Sequence, residues 1–283
     1  MSRALSTKIN LKCCTYAESE ELLNALRKSK KRHITRYILT ILSLLIIIIG
    51  LAGLIYDTPL WGAWFTIAAM IVFSIWIYTK TPKVDFERDE YFQGYYEKLN
   101  IFFKTLTKNR KVWEVKDYYK NNDSKYHAGA GLSVNRETVS LFKAKPPYMK
   151  SNLKYYALNT SKGELYFLPY CILINKTFKL YMLDINDITV RFGTTNFIEN
   201  GFIPRDAEVI GYTWQFVNKT GSPNRRFSNN KQIPKCCYGE IDLQLQEHFK
   251  LVIMYSNVSL SDSLKTTFLD LIKYKTNRTS TFN

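Results

Sequence analysis

Glycine and proline are scarce in this chain, at 12 and 8 of 283 residues. That excludes collagen-like and low-complexity sequence, as does an aromatic content of 15%. Cysteine is scarcer still. Cys13, Cys14, Cys171, Cys236 and Cys237 form two adjacent pairs and a singleton with no C-x-x-C, which gives neither a zinc-finger spacing nor a disulfide framework. Reduced thiols in a cytosolic setting fit that pattern. Acids are also few: 24 against 40 Lys and Arg, for a net charge of +16. An acidic disordered tail protein is excluded, and an anionic partner is called for: membrane headgroups, nucleic acid or an acidic protein.

Catalytic signals are equally sparse. Only His33, His127 and His248 are present, and no H-E-x-x-H or G-x-S-x-G accompanies them. His127 precedes AGAGL (Ala128 to Leu132), which lacks the spacing of a phosphate-binding loop and reads as a tight turn. Asp184 and Asp187 read as hairpin terminators. The chain is therefore expected to be non-enzymatic, with no catalytic residue, no cofactor and no metal.

What the chain does have is two long uncharged runs. Residues 37–56 carry no charge between Arg36 and Asp57, and residues 58–79 carry none between Asp57 and Lys80. Twenty residues at about 1.5 Å each reach about 30 Å, the thickness of a bilayer core. Trp61, Trp64, Trp76 and Tyr78 lie towards the ends of the second run, where interfacial aromatics collect. The two runs predict a membrane α-hairpin over 37–79. The first 36 residues hold nine Lys or Arg and three Glu, and Lys80, Lys83 and Arg88 follow the second run. The positive-inside rule then puts both termini in the cytoplasm. Arg27, Lys28, Lys30, Lys31, Arg32 and Arg36 form the membrane-proximal basic set. Neither run holds a charged residue, so anchoring is expected first. Gly50, Gly53, Gly62, Ala63, Ala68 and Ala69 allow the close helix contact of a homo-oligomer.

Outside the hairpin, residues 1–36 read as a basic cytosolic prefix. Leu22, Leu23 and Leu26 lie on one side of a short amphipathic helix there. Residues 80–112 read as a stalk helix, because Phe92, Tyr95, Tyr96, Leu99, Phe102, Phe103 and Leu106 recur at helical spacing. From Trp113 the apolar period becomes two, which predicts a β-rich cytosolic domain over 113–275. Its segments include Glu164 to Asn175 and Phe178 to Phe192, then Glu240 to Leu245 turning through Gln246-Glu247-His248 into Phe249 to Tyr255. A helix with Leu264, Phe268, Leu271 and Ile272 inward, capped by Ser259 or Ser261, closes the domain, and 276–283 reads as a frayed tail. The expected class is a membrane hairpin plus a cytosolic α+β domain, mainly antiparallel, with a C-terminal helix. The order of elements is similar to that of a pleckstrin-homology domain.

Two basic stretches are candidate anion-binding surfaces. Between Lys108 and Lys154 lie eleven Lys or Arg and four acids. Among them Lys116, Lys120, Lys125, Arg136, Lys143 and Lys145 are candidates for phosphate, with Tyr118, Tyr119 and Tyr126 as platforms for bases, the mixture that single-stranded nucleic acid favours. A solvated basic face near an anionic membrane fits the same residues. Val209 to Gly239 holds no acid, and adds Lys219, Arg225, Arg226 and Lys231 on a polar loop.

Glu208 to Leu243 (EVIGYTWQFVNKTGSPNRRFSNNKQIPKCCYGEIDL), with Tyr126 to Gly131 (YHAGAG) and Glu164 to Pro169 (ELYFLP), resembles an uncharacterised bacterial membrane-anchored domain. The architecture is similar to the two-span effectors of bacterial anti-phage systems of the retron and cyclic-oligonucleotide types. That resemblance implies a cytosolic sensor that binds a nucleic acid or a nucleic-acid-bound protein complex, and spans that permeabilise the lipid bilayer once released. The alternative expectation is a membrane-tethered adaptor for lipid or protein, without toxic activity.

Overall fold

A computed structural model describes residues 8–11, 16–55, 64, 67–73, 81–86, 90–120, 132–169, 171–245 and 249–279. The chain divides into two compact units, one of Met1–Glu87 with Ala144–Tyr155 and the other of Arg88–Lys143 with Tyr156–Asn283.

The first unit is organised on helix α1, Tyr16–Ile55. The short amphipathic helix and the first uncharged run are one continuous helix of 40 residues, about 60 Å long. No proline or glycine interrupts it before Gly50. Its segment Glu20–Ile49, whose 18-residue apolar stretch has a mean hydropathy of 1.7, is long and apolar enough to cross a membrane. Beyond Arg36 the apolar side chains face outward, Tyr37 and Ile48 among the most exposed. The few hydroxyls there bond back along the helix: Thr40 Oγ1 donates to the Arg36 carbonyl at 2.9 Å, and Ser43 Oγ to the Thr40 carbonyl at 2.8 Å. Such back-bonding satisfies polar groups that lipid cannot.

The other end of α1 is polar outside and packed inside, with Leu22 and Leu26 buried. Strands β1 (Lys8–Leu11), β2 (Lys83–Phe86) and β6 (Lys150–Ser151) form a parallel sheet in the order β1-β2-β6. Val84 and Met149 are buried in this unit. Ser29 Oγ donates to the Tyr148 carbonyl at 2.8 Å, while the Tyr148 ring meets His33 edge-on, with centroids 5.5 Å apart.

One described helix, then, can span a bilayer, and a two-helix hairpin is not shown. Most of the second run lies outside the described residues, including Trp61, Trp76 and Tyr78; Trp64 and residues 67–73 are helical.

The second unit begins with helix α2, Glu90–Leu106. Its stripe of Phe92, Tyr95, Leu99, Phe102, Phe103 and Leu106 is buried. Phe103 stacks on Tyr156 at 4.6 Å and meets Phe167 at 4.7 Å, while Phe102 meets Phe268 at 5.2 Å. This helix, read from the sequence as a stalk packed on the globular domain, sets its aromatic stripe in the core of the β domain.

Five antiparallel strands make one sheet in the order β10-β9-β8-β7-β5: β5 (Ser140–Ala144), β7 (Tyr155–Thr160), β8 (Gly163–Leu168), β9 (Cys171–Asn175) and β10 (Leu180–Asp184). A second sheet runs β11-β13-β14-β3-β4, with β12 also paired to β13. These strands are β3 (Val112–Lys120), β4 (Leu132–Thr138), β11 (Thr189–Ile198), β12 (Glu208–Trp214), β13 (Gln232–Leu245) and β14 (Phe249–Tyr255). The expected hairpin over 240–255 is present, with Leu245 opposite Phe249 and Gly239 opposite Tyr255. Its turn residues lie outside the described set.

The centre of this second sheet, on β3, β13 and β14, carries buried residues on both faces. Ile241, Leu243, Leu251 and Ile253 share the face of Phe192, whose ring meets Phe268 at 5.9 Å. Phe268 lies on the closing helix α3, Ser261–Thr279. Trp113, Val115, Cys236, Tyr238, Val252 and Met254 form a separate cluster, covered by Phe197, Ile203 and Ala207. A turn at Val258–Leu260 precedes helix α3, and Asn257 caps that turn, accepting from the Ser259 amide at 3.1 Å. The helix also runs to Thr279, past the boundary expected at 275, since no glycine or proline follows Leu271 to stop it.

Candidate anion-binding surface

The segment Gln215–Lys231 joins β12 to β13 and folds on itself. Gln215 N donates to the Lys231 carbonyl at 2.9 Å, closing its neck. Inside, the Phe216 and Phe227 rings stack with centroids 4.0 Å apart. Asn230 holds both sides of Phe216: its Oδ1 accepts from the Phe216 amide at 2.9 Å, and its Nδ2 donates to the Phe216 carbonyl at 2.8 Å. A tighter turn is nested within, where Asn218 N donates to the Ser222 carbonyl at 2.8 Å and Gly221 N to the Asn218 carbonyl at 2.9 Å. Gly221 sits at φ +82°, a conformation that other residues adopt only with strain.

Local turn residues thus order a polar loop without burying it. Lys219, Arg225, Arg226 and Lys231 are all exposed on it. With no carboxylate on Val209–Gly239, these cations repel one another unless an anion screens them. Ordering the loop beforehand lowers the entropy cost of binding one.

The other basic stretch is placed differently. Arg136, on β4, is not on the surface. Its side chain is 13% exposed, and its guanidinium forms an ion pair with Glu199. It lies 4.2 Å from the Trp113 and Phe197 ring centroids and 5.3 Å from that of Tyr238. Tyr238 donates its hydroxyl to Glu199 at 2.9 Å. Burial, then the Glu199 charge, pushes the Tyr238 hydroxyl far above its ordinary range, so it stays a donor. Arg136 is a cation of the core, and its assignment as a phosphate ligand is corrected on that ground.

Lys116 is paired with Glu137 at 2.5 Å. Lys143 bonds Asn100 Oδ1 at 3.0 Å and lies 4.1 Å over the Tyr156 ring. Tyr118 is half exposed and hydrogen-bonded to Glu240, whose carboxyl is raised by burial and by Asp242. Tyr118 and Lys116 border a cavity of about 350 Å³ with Lys250, Asp117 and Glu114. Glu114 is committed there to Ser161, accepting from its amide at 2.6 Å. Lining of both signs makes this cavity a poorer anion site than the loop. Lys145 is exposed in the first unit. Lys120 and Tyr119 end β3, opposite Leu132 and Ser133, with side chains outside the described set. Lys125, Tyr126, His127 and His248 also lie outside it.

Of the membrane-proximal cations on α1, Arg27, Lys28, Lys31 and Arg32 are exposed and Arg36 is half buried. Lys30 is buried, its ammonium 5.4 Å from the Tyr148 ring centroid, which removes it from a headgroup-facing set. Tyr148 reads in the sequence as one of the tyrosines interleaved with the basic stretch, not as the partner of Lys30, and Glu199 was missed, since neither lies near its cation in the chain.

Among the described residues no group of three His, Cys, Asp or Glu is arranged to hold a metal ion. Burial pushes the Cys236 and Cys237 thiols up, which keeps them protonated and poor nucleophiles. No family model, no curated protein and no solved structure matches this chain.

Proposed function

We propose that this protein is a non-enzymatic membrane effector, anchored by a hairpin of α1 and the second uncharged run, with a pleckstrin-like cytosolic domain that binds nucleic acid or a nucleic-acid-bound protein. The supporting observation is the ordered, acid-free loop carrying Lys219, Arg225, Arg226 and Lys231. Phosphates neutralise such a cluster with release of counterions. The bound complex holds the effector at rest in the bacterial inner membrane. Its loss lets the spans gather and permeabilise the bilayer, in keeping with the resemblance to two-span defence effectors.

Purification of the full chain from its native host in mild detergent, with and without nuclease, tests the binding. A defined nucleic acid that co-purifies and is lost on nuclease treatment is the expected result. Dye entry into cells after induced expression tests the lesion. A clean protein and dye-tight cells would overturn the reading and favour a tethered adaptor.

A further inference from the structure

The hairpin that carries the cationic loop, with the connector before it, also exposes apolar side chains, of which the aliphatic ones offer a base no stacking face. Phe202, in the connector before β12, is 76% exposed and Tyr212 is 64% exposed, with Val209 and Ile210 open to solvent on the same strand as Tyr212. Burying such groups was available to this chain. Ile203 and Ala207, in the same segment, are packed against Trp113 and Tyr238. Among the described residues strand β12 pairs with β13 alone, and its register shifts between Val209 and Gly211. A bulge of that kind re-aims side chains at a sheet edge.

Exposed aromatic and aliphatic groups next to fixed cations match a bilayer interface. Apolar side chains enter the acyl boundary, and Lys and Arg meet headgroup phosphate. The absence of any acid between Val209 and Gly239 supplies the charge complementarity. The chain also contains a helix able to cross a bilayer, so the local lipid concentration is high by tethering alone. We infer that the β12 hairpin docks on the anionic leaflet of the membrane in which the chain is anchored, with Phe202 and Tyr212 seated in the interface and Arg225 and Arg226 on lipid phosphate. The inference rests on the anion-binding reading of the loop and adds the partner the loop takes once the nucleic acid is lost. A nucleic acid that holds the same cations keeps the hairpin off the surface.

Hydrogen exchange of the full chain tests this in nanodiscs of phosphatidylcholine alone and with added phosphatidylglycerol. Slower exchange over Phe202–Lys231 in the anionic discs, with β13–β14 unchanged, is the expected result. The paired substitution Phe202→Asp and Tyr212→Asp should abolish the slowing. Each cation near an anionic surface favours the docked form about fivefold, so Arg225→Ala with Arg226→Ala should weaken docking about thirtyfold. Equal exchange in the two discs overturns the inference, as does slowing that survives both aspartates. An added single-stranded oligonucleotide separates the two readings. Protection by oligonucleotide but not by phosphatidylglycerol overturns docking and leaves nucleic-acid binding standing. Protection by phosphatidylglycerol alone supports docking and removes nucleic acid as the partner.

Discussion

Arg136 is a cation whose setting reverses its meaning. Three aromatic faces and one buried carboxylate surround it, so its charge is balanced within the domain. Arg136→Met would strand Glu199, whose side chain is 8% exposed, next to a tyrosine that cannot ionise. A loss of about 3–5 kcal/mol is expected, since removing one partner leaves an uncompensated buried charge. Adding Glu199→Gln should restore much of it. Urea unfolding followed by tryptophan emission reads both variants. Glu240 gives a pH-dependent counterpart. Burial first, and then Asp242, raise its carboxyl, against the pull of Lys250 and the Tyr118 hydroxyl. The folded state therefore holds this proton more tightly than the unfolded state. That contribution favours folding below the ordinary carboxylate range of about 4.3 and is lost as pH rises through the folded value. Glu240→Gln should thus stabilise the protein at neutral pH, with the difference from wild type vanishing under acid. Thermal unfolding at several pH values measures it.

At the scale of elements, what the sequence made legible follows from how local each signal is. The stripe on α2 was readable because six buried positions recur along one helix. Phe103→Ala, which removes the ring between Tyr156 and Phe167, should cost about 3–5 kcal/mol. The β13–β14 hairpin was readable because its two alternating runs flank a short polar turn. Its tightest feature was not. A Cβ at Gly239 would sit 2.1 Å from the Tyr255 ring, so Gly239→Ala forces that buried ring to move and is expected to cost about 1–3 kcal/mol in the same assay. The burial of the sheet centre on both faces was hidden for a related reason: the covering segment around Ile203 and Ala207 has no periodicity of its own. Arg136 and Lys30 were misplaced because their partners are remote. Glu199 is 63 residues from Arg136, and Tyr148 returns to α1 from far along the chain. The ordered loop, by contrast, is stabilised by its own asparagines, serine and glycine, and its exposure was foreseen from composition.

At the scale of the molecule, a net charge of +16 is distributed unevenly. Some cations of the central stretch are bound by Glu137, Glu199 or aromatic rings, whereas Lys219, Arg225, Arg226 and Lys231 face solvent within Val209–Gly239, which holds no acid. The chain pairs that surface with a helix able to cross a bilayer. A lesion formed by the spans and an anion sensed by the hairpin are the two halves of the proposed effector. The sensing half is open to the most direct test. Binding of a fluorescent single-stranded oligonucleotide to the full chain in phosphatidylcholine nanodiscs can be followed by anisotropy across a salt series. Four phosphate contacts give a log–log salt slope of about −3. The combined substitution Lys219→Ala, Arg225→Ala, Arg226→Ala and Lys231→Ala should bring the slope near zero and abolish binding at physiological salt. Absence of binding by the wild type, or binding that keeps its affinity and slope without those four cations, would contradict the account.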